Sequence, residues 1–418
     1  MGQVTDLDTF SALLAPEGQE LLTALRDHDP ADDLTVATRL RRSHPAPLVS
    51  AALGQARLRQ RAAAKFGDDA RRMYFTPNGV EQSTRATVAA HRAARLAALG
   101  VRTLADLCSG IGGDALALAR AGISVLAVDR DPLACAAARA NAEALGLADR
   151  IEVRCADVTE VDTAGYDAVF VDPARRSKAR GGRIFDPEAY SPPLSWAIEA
   201  ARTAPYAALK IAPGVPHEAL PDDAETEWIS DGGDVKEAVV WFGRGTRPGG
   251  RRATLLPGGA TLLGAGLPDP PTRRPTTTPA GGASHRPPVG PVGRYLYEPD
   301  GAVIRAHLVA DVAQQVGGRL IDPTIAYITA DELTPTPYAT AYEITDVLPF
   351  NVKKLRALLR EREVGIAVIK KRGSAVSPEE LRKKLKLGGG TRSCTIFLTR
   401  AAGAPTMLLG HPAGDGQE

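Results

Sequence analysis

Cysteine is scarce in this chain of 418 residues, and long hydrophobic runs are missing altogether. The four cysteines, Cys108, Cys135, Cys155 and Cys394, stand far apart and form no C-x-x-C pair. That spacing excludes a disulfide framework and a zinc site built on cysteine pairs, and it fits a reducing, cytoplasmic setting. His44, His91, His217, His285 and His307 show no partner spacing and read as structural or exposed, so no metal is expected. No apolar run approaches the roughly 18 residues of a membrane-spanning helix. The opening MGQVTDLDTF has no basic segment followed by an apolar core, which excludes a secretory signal at this end. Asp6 stands where a myristoylation motif after Gly2 wants serine or threonine. What is present, 44% hydrophobic and 24% charged residues, describes a soluble globular chain of about two or three domains.

Net charge is only +2, but the distribution is uneven. Residues 353–386 carry twelve Lys or Arg against four Glu, a net of +8, so the rest of the chain sums to −6. A basic segment on a mildly acidic body calls for a polyanionic partner.

Residues 1–83 are rich in Ala, Leu, Arg and Glu and read as a helical region, with helices over Gly18–His28 and Pro47–Phe66. A further helix is expected from Val80 to Leu99, stopped by Gly100. From Thr103 short apolar strands alternate with helices: strands at Thr103–Cys108, Ser124–Asp129, Ile151–Ala156, Ala168–Val171 and Ala207–Ile211, helices at Asp114–Ala121, Pro132–Leu145 and Pro193–Ala201. This alternation predicts an α/β fold with a parallel, doubly wound sheet over residues 84–266. Ala238–Phe242, Ala253–Leu256 and Ala260–Leu263 read as antiparallel closing strands. Residues 267–293 hold eight prolines in 27 positions and read as a linker. Residues 294–410 form a second, smaller α/β segment, with helices Ile304–Val316, Val352–Glu361 and Pro378–Lys386 and strands Tyr342–Ile344, Gly365–Ile369 and Thr395–Leu398.

The richest stretch is Leu104-Ala-Asp-Leu-Cys-Ser-Gly-Ile-Gly-Gly-Asp114. A strand ends, glycines allow close backbone approach, and a helix begins whose free N–H groups face the turn. Asp129 ends the next strand, where a carboxylate meets ribose hydroxyls. Asp157 ends the third and is placed to reach an adenine amino group; Asp172-Pro-Ala-Arg175 ends the fourth. The run Gly110–Ala115 also matches the dinucleotide fingerprint G-x-G-x-x-G/A. Asp106 argues against that reading, because a carboxylate inside the first strand repels a pyrophosphate and attracts a ligand with ammonium and sulfonium charges.

These motifs resemble motif I and its partners in class I S-adenosylmethionine-dependent methyltransferases. Glu81-Gln-Ser-Thr-Arg85, Asp172-Pro-Ala-Arg-Arg176 and the tail from Arg294 resemble the bacterial members that carry a C-terminal THUMP-like domain. More distantly, the catalytic part is similar to trimethylguanosine synthases and RNA base methyltransferases. The resemblance implies a Rossmann-like methyltransferase domain with S-adenosylmethionine as cofactor, followed by a THUMP-like domain. It implies that Asp106, Ser109, Gly110 and Gly112 hold the methionine part, Asp129 the ribose and Asp157 the adenine. It also places the Glu81–Arg85 segment against the cofactor, whereas the local reading makes Ser83 or Thr84 a helix cap.

In N-methyltransferases an Asp/Asn-Pro-Pro-aromatic turn holds a planar amine and aims its lone pair at the methyl, so catalysis is mostly alignment. Asp172 and Pro173 keep that pattern, while Ala174 and Arg175 replace the second proline and the aromatic. Arg175 is then a candidate to stack a base or pair with a phosphate. No cysteine is placed to activate a pyrimidine ring, which favours transfer to nitrogen, or to oxygen, over carbon C5. Arg175, Arg176, Lys178, Arg180 and Arg183 put five cations in nine residues, which suits phosphate contacts. Tyr190 or Trp196 supplies a stacking ring, or Trp196 is simply core. Lys210, near the end of the fifth strand, neutralises a phosphate or pairs with an acid at the sheet edge. Lys370, Lys371 and Arg372, with the clusters on either side, form a candidate RNA surface. The expected activity is methylation of a base nitrogen of tRNA or rRNA. The alternatives are a small-molecule or protein substrate, or an RNA-binding protein with a vestigial crevice.

Overall fold

A computed structural model describes residues 6–174, 188, 190–264, 287–387 and 390–414. The chain divides into two compact units, Met1–Glu225 with Ala238–Pro248, and Thr226–Glu237 with Gly249–Glu418.

Six helices open the first unit: α1 (Asp6–Leu14), α2 (Pro16–Ala24), α3 (Asp33–Leu40), α4 (Ala46–Phe66), α5 (Pro77–Gln82) and α6 (Ala86–Ala98). There follow β1 (Thr103–Leu107), α7 (Gly113–Arg120), β2 (Ser124–Asp129), α8 (Pro132–Ala144) and β3 (Ile151–Cys155). Next are β4 (Ala168–Val171), α9 (Leu194–Thr203), β5 (Tyr206–Ile211), β6 (Glu225–Asp231) and β7 (Asp234–Gly243). The sheet of this unit runs β3-β2-β1-β4-β5-β7, with β7 antiparallel to β5 and every other pairing parallel. Strand order therefore reverses between β1 and β4, and a doubly wound sheet binds its ligand at the carboxyl ends of such a pair. The central strands are buried on both faces and read as continuous apolar runs; Asp106 is the exception within β1.

Two buried amides tie the helical region to this core. Asn141 of α8 accepts from the Tyr74 N–H (2.6 Å) and donates to the carbonyls of Tyr74 (3.0 Å) and Ile111 (2.9 Å). Gln55 of α4 pairs with the N–H and carbonyl of Phe75 at 2.8 and 3.0 Å. Lys65 closes the carboxyl end of α5 by donating to the carbonyls of Val80, Glu81 and Ser83.

In the second unit β8 (Arg251–Leu256) pairs parallel with β6 and antiparallel with β9 (Ala260–Leu263). The remaining elements are β10 (Tyr295–Pro299), α10 (Gly301–Arg305), α11 (Val309–Gln315), β11 (Arg319–Asp322), β12 (Ile325–Ala330), β13 (Ala339–Pro349), α12 (Val352–Glu361), β14 (Val364–Lys371), α13 (Pro378–Leu385), β15 (Arg392–Ala401) and β16 (Ala404–Pro412). They build a sheet in the order β11-β12-β10-β13-β16-β15-β14. Leu355, Leu359, Leu381 and Leu385 of α12 and α13 pack on Ile396, Leu398, Met407 and Leu409. A second cluster holds Tyr327, Tyr342 and Phe397 with ring centroids 4.9–5.7 Å apart.

The expected parallel strands are all present, within a residue or so at their ends. The helix expected from Val80 to Leu99 is instead α5 and α6, separated by an extended turn at Ser83–Arg85. The helix expected over Ile304–Val316 is likewise two, broken where His307 has φ +58°. Strand Tyr342–Ile344 extends to eleven residues. Strands β8 and β9, read as closing the first domain, group with the second unit, and β8 is parallel to β6. Order resumes before Arg294: Gly290 and Pro288 bond Leu320, at 2.9 and 2.8 Å. The rest of the proline-rich linker, 267–286, lies outside the described residues. Among the described residues no helix is long and apolar enough to cross a membrane.

Asn141→Leu removes three buried hydrogen bonds at once. We expect a loss of about 2–4 kcal/mol in urea unfolding; a change within ~0.5 kcal/mol would show that this amide does not hold the helical region in place.

Candidate functional site

The carboxyl ends of β1, β2 and β4 meet through backbone bonds: Ser109 N–H donates to Val128 at 3.0 Å, and Asp172 N–H to Leu107 at 3.1 Å. Between them the turn after β1 takes left-handed geometry at Cys108 (φ +68°), Gly110 (φ +57°) and Gly112 (φ +85°). Glycine avoids the steric cost of that region. At Gly112 the neighbouring Ala138 side chain would also stand 3.4 Å from an added Cβ.

Asp106 is fully buried, and neither carboxylate oxygen has a hydrogen-bond partner among the described residues. The Ser109 hydroxyl is orphaned in the same way. Burial first, then the nearby charges of Asp114 and Asp172, push the Asp106 carboxyl well above its ordinary value. A buried polar group without a partner costs free energy, so two of them side by side mark a place shaped for something the chain does not supply.

The neighbouring acids are otherwise engaged. Asp114, in the first turn of α7, is paired with the buried Arg92 of α6, whose guanidinium lies 4.3 Å from the centre of the Phe170 ring. Asp129 accepts the N–H of Gly110 (2.8 Å) on one oxygen and that of Asp131 (2.9 Å) on the other. It thereby fixes the turn, and each oxygen keeps a lone pair for a ribose hydroxyl. Asp157 caps a short helical turn through Thr159 (2.9 Å to N–H, 2.8 Å to hydroxyl) and is exposed. These bonds hold its carboxyl below the usual carboxylate range.

Asp172 forms an ion pair with Lys210 of β5, Nζ to Oδ2 at 2.7 Å. Lys210 also donates to the Thr84 hydroxyl at 2.8 Å. Its side chain is 5% exposed and that of Asp172 23%, so the acid is the more accessible member of the pair. Of the two readings of Lys210, pairing with an acid is the one seen. The Glu81–Arg85 segment is not a cap for α6: Ser83 donates back to the Gly79 carbonyl (2.6 Å), Arg85 occupies the cap position, and Glu81 pairs with Arg61. Its contribution is Thr84, buried against Lys210. Pro173 follows Asp172 directly, and Ala174 bridges to Ser191. Tyr190 is buried and Trp196 half-buried on α9.

Arg175, Arg176, Lys178, Arg180 and Arg183 lie outside the described residues. In the second unit Lys370 pairs with Glu298 and stands over the Tyr342 ring; Arg372 approaches the same glutamate at 3.7 Å and lies over Tyr327. Of that trio Lys371 alone is exposed. Lys353, Lys354, Arg360, Arg382, Lys383 and Lys384 form the outer faces of α12 and α13. Burial lifts the thiols: Cys108 well above its ordinary value, Cys135 up to about 12 with Cys155 beside it, and Cys394 up to about 11. Among the described residues no cluster of His, Cys, Asp or Glu is arranged to hold a metal ion.

Arg92 was not singled out from the sequence, and Thr84 was read only as a helix cap, not as the partner of Lys210. Arg92 was detectable, because Val88, Ala89, Arg92, Ala93 and Leu96 fall at helical spacing on one buried face. A charge inside such a stripe needs a partner.

Residues 101–194 match a family described as RNA cap guanine-N2 methyltransferase, residues 339–412 a THUMP domain-like family, and residues 6–62 a domain of unknown function. An uncharacterized S-adenosylmethionine-dependent methyltransferase of Mycobacterium tuberculosis, in strains CDC 1551 and H37Rv, is 35% identical over 356 residues, 82% of this chain and 90% of the relative. A solved structure of a protein held to be a methyltransferase, from Porphyromonas gingivalis W83, superposes with a TM-score of 0.68 at 22% identity, covering 92% of this chain and 99% of that one. The residues fit S-adenosylmethionine. Asp106 and Ser109, both orphaned, stand before and within the glycine turn, and an α-ammonium there would supply the missing charge and donors.

Two predictions follow from the charges. The raised Asp106 pKa means that folding favours its neutral form. That contribution is complete below the ordinary carboxylate value of about 3.9 and is lost as pH rises through the raised one. At neutral pH, Asp106→Asn should therefore melt higher than wild type without ligand, by roughly 2–4 °C per kcal/mol relieved, yet bind S-adenosylhomocysteine more weakly. A ligand ammonium draws the pKa back down, so binding to wild type should release a proton. Calorimetry in buffers of different protonation enthalpy reads that release, and its absence, or its persistence in the variant, refutes the assignment. Lys210→Met strands Asp172 and should cost about 1–3 kcal/mol, discounted for solvent at the acid. Adding Asp172→Asn should recover part of that loss in urea unfolding.

Proposed function

The chain belongs to the S-adenosylmethionine-dependent methyltransferases, and from that premise we propose that it methylates an exocyclic amine of a base in tRNA or rRNA. The observation that carries this reading is Asp172. It follows the last residue of β4 with one oxygen held by Lys210, while the other oxygen accepts no bond among the described residues. A planar amine has two hydrogens. Asp172 Oδ1 is available to one, the Pro173 carbonyl lies next in the chain for the other, and that arrangement turns the nitrogen lone pair toward the turn after β1.

When bound, the cofactor supplies a methyl group activated by its sulfonium charge. The residues of this chain do the rest by placement. Asp106 and Ser109 anchor the amino-acid end, Asp129 holds the turn and the ribose, and Lys210 keeps Asp172 fixed. Transfer would exchange the carbon–sulfur bond for a nitrogen–carbon bond, and the Asp172 carboxylate would be placed to take the proton displaced from the amine. Alignment of this kind accounts for a large part of a barrier without covalent help. The lifted thiols favour nitrogen over pyrimidine C5, since a thiol held neutral is a poor nucleophile. RNA as the carrier of the base is supported by the family description matched over residues 101–194, by the THUMP-like match over 339–412 and by the outward cations of α12 and α13. Arg175, Arg176, Lys178 and Arg183 add cations to the sequence after Asp172, and Lys371 is an exposed cation of the second unit.

Nucleosides from the RNA of cells with and without the gene, compared by mass spectrometry, should differ in one N-methylated base. Radiolabelled methyl transfer into RNA from the deleted strain should fall about 10²-fold or more in Asp172→Ala, with S-adenosylhomocysteine affinity retained. Equal incorporation by variant and wild type removes Asp172 from the mechanism; an unchanged nucleoside profile removes RNA.

A further inference from the structure

A second concave region of the first unit, about 460 Å³, takes no part in the site above. It lies among α1, α2, α4, α8 and the segment 71–74. Its charged lining is Arg26, Arg59, Arg71 and Arg72 against a single acid, Glu143. Like charges do not gather from three separate elements without cost. Arg59 donates to the Met73 carbonyl (2.9 Å) and lies over the Tyr74 ring at 5.1 Å. Burial, with Arg26 also nearby, draws its pKa below the ordinary value. Arg72 pairs with Asp69 at 3.1 Å, but that carboxylate is shared with Arg120 at 2.6 Å. Arg26 and Arg71 have no ion pair and no side-chain hydrogen bond among the described residues.

We propose that this groove is a phosphate-binding site that seats the backbone of the RNA substrate, an inference that rests on the RNA reading above. Four guanidinium groups are suited to this: each presents a planar fork of donors that matches phosphate oxygens and holds its charge at any physiological pH. Base readout is not offered. One face of Tyr74 is covered by Arg59, its ring packs edge-on with Phe10 (5.9 Å), and its hydroxyl bonds Gln19 (3.0 Å). Contacts that hold phosphates without reading bases set register rather than sequence. The groove is also placed to do so. Ala140, Glu143 and Ala144 line it, and Asn141 on the same helix binds both Tyr74 and the Ile111 carbonyl of the turn after β1. A phosphate held here is referred to the cofactor turn through one rigid helix.

The test compares the full-length protein with its Arg26→Ala/Arg71→Ala variant, which breaks no bond in the fold. Binding of unfractionated tRNA is measured by anisotropy over a salt series, with calorimetry of inorganic tripolyphosphate alongside. We expect tRNA affinity to drop about tenfold or more and the slope of log K against log salt to shrink by about 1.4–1.8. Tripolyphosphate binding should be lost, while S-adenosylhomocysteine affinity and melting temperature are unchanged. A variant with wild-type tRNA affinity and salt slope overturns the groove and leaves the RNA reading standing. If wild type binds tripolyphosphate in an Arg26- and Arg71-dependent way but not tRNA, the phosphate site stands, its source is a small phosphorylated molecule, and the RNA reading falls. If wild type binds neither, both fall.

Discussion

A carboxylate buried without a partner is the constraint around which the first unit is organised. Asp106 interrupts a strand that is otherwise continuous apolar core. Among the described residues neither of its oxygens has a hydrogen-bond partner, and three further acids, Asp114, Asp129 and Asp172, raise the cost, which the charge of Arg92 only partly offsets. Folded proteins retain such a group where it does work that an apolar residue cannot. On the function proposed above, that work is to leave one charge for a cationic ligand, while Asp114, Asp129 and Asp172 are held by the protein.

The compensation is divided with care. Arg92 takes Asp114, Lys210 takes Asp172, and backbone N–H groups take Asp129. Both cations are almost wholly buried, and each connects the sheet to the helical region: Arg92 stands on α6 and Lys210 reaches Thr84 in the turn before it. The helices ahead of β1 are therefore part of the site. Removing them would strand Asp114 directly and loosen Lys210, which no packing argument about their own core would suggest.

How far the sequence shows this depends on distance along the chain. The α/β alternation from Thr103, the glycine turn and the acids Asp129, Asp157 and Asp172 at or just past three strand ends are local patterns, and the structure has each at that place. The break between α5 and α6 was missed because Ser83, Thr84 and Arg85 carry no proline or glycine to signal it; tertiary bonds from Lys65 and Lys210 hold the turn open. Strands β10, β11, β12 and β16 were missed for a related reason. They are antiparallel, and their identity is decided largely by partners elsewhere in the sheet. The pairing of Lys210 with Asp172 spans 38 residues, so from sequence alone phosphate and acid were equal candidates.

Charge shows the same limit most clearly. The run of cations in residues 353–386 stands out in sequence, yet two members of its central trio, Lys370 and Arg372, share Glu298 and stand over tyrosine rings. A run counts charge without counting what folds against it. The arginines at 26, 59 and 71–72 form no run and attract no notice on the page, but folding brings them to one groove with one acid among them. Net charge at a surface is a property of the fold, and unpaired cations drawn from separate elements are better evidence for a polyanion than consecutive ones. Where the two indications disagree, the groove has the stronger physical warrant, because Arg26 and Arg71 have no ion pair among the described residues while Lys370 and Arg372 share Glu298.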